Sequence, residues 1–124
     1  MFQIDPLSHI PVYEQLINQT ETFVLTDILS EGDQLPSTRM LAARLSVNPN
    51  TIQKAFIEME RRGITRSVPG KGVFISREAK EILRTEHINE LKELKEYLAK
   101  FRLAGITENE IINCVKEVYG GEDQ

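Results

Sequence analysis

The chain has 124 residues, 40% of them apolar and 27% charged, the balance of a soluble globular protein with one domain, or a small domain plus an appendage. No apolar run is long enough to span a bilayer, and the N-terminal segment lacks the basic and apolar regions of a secretory signal. The lone Cys114 excludes an internal disulfide framework, so a cytoplasmic location without a membrane partner is expected. The net charge of −4 argues against nucleic acid only until it is divided along the chain. Residues 1–33 hold six acidic residues and no Lys or Arg, whereas residues 34–77 hold eight Lys/Arg against Glu58 and Glu60. Residues 78–124 return to seven basic against eleven acidic residues. The middle is a basic island, and local rather than net charge decides whether a surface attracts phosphates.

Taken in order, residues 11–29 read as a first helix. Pro11 suits the first helical position, where its missing N–H is not needed, and Val12, Tyr13, Leu16, Ile17, Phe23, Val24, Ile28 and Leu29 form one broad apolar stripe. Ser30–Asp33 make a turn, and Gln34-Leu35-Pro36 is extended because a residue before proline avoids the helical region. Ser37 caps a short second helix, Thr38 to Leu45. After the turn Ser46–Asn48, Asn48 as cap and Pro49 as first residue start a third, about Pro49 to Arg62, whose inner face is Ile52, Ala55, Phe56 and Met59. Gly63 stops it. Two β-prone runs, Ile64–Val68 and Val73–Ser76, flank Pro69-Gly70-Lys71-Gly72, a hairpin signature.

Residues 78–104 read as one long charged helix with Ile88, Leu91, Leu94, Leu98 and Phe101 on a shared face, broken by Gly105. Thr107 with Glu110 is a capping box for a last helix to about Tyr119, with Ile111, Ile112, Val115 and Val118 on its apolar side. The tail 120–124 reads as loose. The predicted fold is mainly α with a small β-hairpin wing: a winged helix-turn-helix over residues 1–77, plus a C-terminal two-helix dimerisation or effector segment over residues 78–124. The apolar faces of that segment are too large to cover within its own length. A homodimer seam at Leu91, Leu94, Leu98, Phe101, Ile111 and Val115 is therefore expected.

The second and third helices fit a helix-turn-helix, in which the third lies in the DNA major groove with its N-terminal residues nearest the bases. Its outward residues are Asn50, Thr51, Gln53 and Lys54. Asn and Gln pair with adenine, Thr meets a thymine methyl, and Lys meets guanine or phosphate. Ser37, Thr38 and Arg39 stand where a helix N-terminus offers free N–H groups to a phosphate, and Gly70, Lys71 and Gly72 form a small basic wing tip. A solvated polar face accounts for any of these residues singly; their order along the chain favours double-stranded DNA. The alternative is a winged-helix protein-interaction module without DNA binding. No catalytic, metal or cofactor site is expected. His9 and His87 lack neighbouring ligands, the carboxylates lie among lysines on exposed faces, and Cys114 reads as a buried small residue.

Ile10-Pro11-Val12-Tyr13-Glu14-Gln15-Leu16, Gly32–Ala42, Val47–Ala55 and Gly63 with Gly72-Val73-Phe74 resemble the GntR family of bacterial transcription regulators over about residues 9–76. The short two-helix C-terminus and the Asn-Pro-Asn-Thr turn are similar to its YtrA-type subgroup. The resemblance implies a dimeric operator-binding repressor paired through its C-terminal helices, with Arg39, Asn50, Thr51, Lys54 and the Gly70–Gly72 wing at DNA-contact positions, and targets among transporter genes. The chain lacks an Arg that some relatives carry near Pro49, so base preference does not transfer. Larger relatives append a ligand-binding domain. Here a small-molecule effector, if one binds, needs the dimer interface or an interdomain cleft.

Overall fold

A computed structural model describes residues 1–121, which fall into a compact unit, Met1–Glu86, and a second unit beginning at His87. In the first unit, α1 (Val12–Leu25), α2 (Thr38–Leu45) and α3 (Pro49–Arg61) precede an antiparallel hairpin, β1 (Thr65–Val68) and β2 (Gly72–Ile75), paired from Thr65↔Ile75 to Val68↔Gly72. Helix α4 (Ala79–Asn89) follows, then α5 (Leu91–Leu103) and α6 (Glu108–Gly120). The predicted mainly helical fold with a hairpin wing is the fold observed.

Local chemistry explains most boundaries. Ser37 Oγ accepts the Met40 N–H at 3.1 Å, and Asn48 Oδ1 accepts the Asn50 N–H at 2.8 Å, so both helices of the helix-turn-helix start on the expected caps. Gly63, at φ +83°, ends α3, and the Ile64 N–H returns to the Met59 carbonyl at 3.0 Å. Helix α1 is shorter than the predicted 11–29. Pro11 is its cap rather than its first residue, and the chain turns at Asp27, which takes φ +62°, while the Leu29 N–H reaches back to the Phe23 carbonyl at 3.0 Å. The apolar stripe outran the helix because Leu29 is buried from a turn.

The single helix predicted over 78–104 is two. At Glu90 the N–H bonds the His87 carbonyl three residues back, and Glu90 Oε2 lies 3.2 Å from His87 Nδ1. No glycine or proline marks this break in the sequence. The first unit extends past Arg77 to Glu86 because Ala79 and Leu83, both on α4, are buried in its core with Leu16, Ile52, Met59 and Ile64. Arg62, beside the C-terminus of α3, ties this corner: it pairs with Glu21 of α1 at 2.7 Å and with Glu86 of α4. These carboxylates, Glu86 foremost, hold its guanidinium above the ordinary range.

Within the second unit the capping box forms with both bonds, Glu110 N–H to Thr107 Oγ1 and Thr107 N–H to Glu110 Oε2. Neither α5 nor α6 contains a buried residue. The loose tail expected over 120–124 lies, from residue 122 onward, outside the described residues.

Candidate nucleic-acid interface

Burial of Ile52, Ala55, Phe56 and Met59 fixes the rotation of α3 and leaves Asn50, Gln53 and Lys54 exposed and Thr51 half-buried. The first turn of α3 therefore presents a polar edge on a rigid, capped helix. Asn50 makes no side-chain hydrogen bond among the described residues, so its amide is available to a base edge. At the start of α2, Ser37 is occupied as the cap. Thr38 donates a long hydrogen bond, 3.5 Å, to Gln53 Oε1, joining the two helices of the motif. Arg39 is exposed one residue further on.

Seven of the eight cations of the basic island sort into two classes, Lys54 standing apart over the Tyr13 ring. Arg61 pairs with Glu58 at 2.5 Å, and Arg62 is held by Glu21 and Glu86. Hydrogen bonding to Arg61 in turn keeps the Glu58 carboxyl below its usual range. Arg39, Arg44, Arg66, Lys71 and Arg77 are exposed and form no ion pair among the described residues. The internally neutralised pair sits at the C-terminal end of α3. The free charges lie on α2, on β1, at the wing tip and beyond β2. An anion meets the unpaired set without first breaking a protein contact.

Ser37, Thr38, Gly70, Lys71 and Gly72 line one cleft of about 450 Å³ between the start of α2 and the wing. Gln53 joins this group through Thr38. Lys54 does not: its Nζ lies 4.0 Å from the ring centroid of Tyr13, in a separate groove between α1 and α3. The Tyr13 hydroxyl donates to Glu14 at 3.2 Å, and this bond raises the phenol above its ordinary range. Asn50, Thr51 and Arg39 line neither cleft.

Tyr13 and Gln34 are neighbours of the site that sequence reasoning passed over as site residues. Gln34 lies on the extended segment before α2, which pairs with the outer edge of β2: Leu35 N–H to the Val73 carbonyl and Ile75 N–H to the Asp33 carbonyl, both 2.9 Å. The Pro36 signal located the extension; its pairing with a strand far along the chain had no local signal. Cys114, expected to be buried, is exposed, because α6 buries no face within the described residues. Among the described residues no group of three His, Cys, Asp or Glu could hold a metal ion, and no helix is long and apolar enough to cross a membrane.

The match to known proteins covers the same elements. Residues 12–75 match the model of the gntR family of bacterial regulatory proteins. The HTH-type transcriptional repressor YtrA of Bacillus subtilis (strain 168) is 40% identical over 95% of this chain and 92% of its own length. A transcriptional regulator from Oenococcus oeni superposes with a TM-score of 0.74 at 33% identity, covering 94% of this chain and 97% of that one. The DNA-binding domain of AraR, solved in complex with operator ORX1, superposes with a TM-score of 0.53 at 27% identity, covering 61% of this chain and 93% of that one. The chain belongs to the gntR family of bacterial regulatory proteins.

Proposed function

We propose that the chain is a cytoplasmic transcriptional repressor that binds an inverted-repeat operator as a homodimer and performs no catalysis. One observation carries this reading: five cations of the basic island, on α2, on β1, at the wing tip and beyond β2, form no ion pair among the described residues, and α3 is capped with an exposed polar first turn, while Arg61 and Arg62 are neutralised by carboxylates of the same unit. Ser37, Thr38, Arg39, Lys71 and the wing glycines take phosphates and groove walls. Asn50 and Thr51 take base edges, with Gln53 steadied by Thr38. Lys54 reaches DNA only by leaving the Tyr13 ring. DNA contact belongs to residues 1–77 and pairing to residues 78–124, where Leu91, Leu94, Leu98, Phe101, Ile111 and Val115 supply the seam. A small-molecule effector would enter at that seam, and transporter genes are the targets the family resemblance suggests.

The test is a fluorescence-anisotropy titration with DNA from the chain's own upstream region against random duplex. Binding tighter on the upstream DNA by about 10³-fold or more is expected. Equal affinity for both, or none for either, contradicts the reading and favours a protein-interaction module.

A further inference from the structure

We propose that Gln34 is a positioning residue for the wing: its side-chain amide grips the backbone of the tip and sets the stance of Gly70-Lys71-Gly72 toward DNA. The proposal rests on the reading above, that the wing tip contacts DNA. Gln34 Nε2 donates to the Lys71 carbonyl at 2.9 Å across 37 residues of sequence. A carbonyl only accepts, so the amide nitrogen must face it, and the orientation of the Gln34 side chain is fixed by chemistry.

Three features converge on this bond. The extended segment is hydrogen-bonded to β2 on both sides of Gln34, through Asp33 and Leu35, so the base of the side chain is anchored. Gly72 provides the space: a Cβ there would come within 2.5 Å of Gln34 Nε2, at a backbone φ of +131° that L side chains rarely adopt. The tip itself has little else to hold it. The hairpin strands are four residues each, and the turn is closed by the Lys71 N–H to the Val68 carbonyl at 2.9 Å. A two-stranded hairpin of this length is marginal alone. Gln34 also lines the cleft between the start of α2 and the wing. Its bond therefore sets the separation of the two arms that carry Thr38 and Lys71.

The test is a double-mutant cycle on operator DNA in the full chain, with salt dependence measured for each protein. Gln34→Met keeps length and neutrality and removes the donor. It is expected to weaken operator binding roughly three- to tenfold with an unchanged thermal midpoint, and to speed amide exchange at Lys71 and Gly72 in the free protein. In a Lys71→Ala background that penalty falls by more than half, because the wing contact it serves is already lost. Strictly additive losses, or wild-type exchange at Lys71 and Gly72, overturn the positioning role. If Lys71→Ala binds weakly while Gln34→Met binds like the wild type, the positioning role alone fails. If Lys71→Ala itself binds like the wild type with an unchanged salt slope, the wing contact fails and the proposal with it.

Discussion

Asn50 stands one residue after the proline that opens α3, exposed and with its side-chain amide uncommitted. Its backbone N–H is already bonded to the Asn48 cap, so removing the side chain leaves the start of the helix intact. Asn50→Ala is therefore expected to cost about 1–3 kcal/mol on the specific site and much less on random duplex; equal losses on both would mean that the side chain only steadies the helix. The contact proposed for Lys71 is of a different kind, a charge at a glycine-flanked tip. Lys71→Ala should weaken binding on all sequences and make the salt slope shallower by roughly one unit. Residues whose role is local were legible in the sequence. Ser37 and Asn48 cap the helices assigned to them because a cap is read from its next few neighbours. Lys54 on the Tyr13 ring and Gln34 on the wing were not, because each contact joins segments that only the packed core brings together.

At the scale of elements, helices with a buried face and a side-chain cap at the start were predicted nearly residue for residue. α2 and α3 have Ser37 and Asn48 before them, and Gly63 stops α3. Where the stop is conformational, prediction was uneven: α2 ends where expected, with Ser46 at φ +54°, but two other ends were missed. α1 ends at an aspartate in the left-handed region, and the α4–α5 break at Glu90 is a single tightened hydrogen bond with no residue to announce it. The Ser37 cap serves both stability and the site, since its hydroxyl orders the turn that presents Thr38 and Arg39. Ser37→Ala should lower unfolding stability by about 1 kcal/mol, read as a fall in the denaturant midpoint at unchanged slope. An unaltered midpoint would mean that water replaces the cap at no cost.

Considered as a whole, the molecule joins a well-packed unit that carries the basic island to an acidic helical one whose two helices bury no residue among those described. Leu91, Leu94 and Val115 are each about half exposed, at 51%, 49% and 51%. Apolar side chains on both helices of a unit without a core call for a covering surface, and the proposed second copy would supply a self-complementary one. Leu94→Glu is expected to shift the sedimenting species from two chains toward one at micromolar concentration, with the first unit still folded. A wild-type protein sedimenting as one chain would remove the seam. A two-fold pair must present two α3 helices to one face of DNA, with half-sites about one helical turn apart. The most direct measurement is hydroxyl-radical footprinting of the purified chain on its upstream DNA, with each half-site ablated in turn. The account predicts paired protections on one face of the duplex, spaced by about one turn and both lost when either half is destroyed. Protection of a single half-site at undiminished affinity, a direct repeat, or no protection would contradict it.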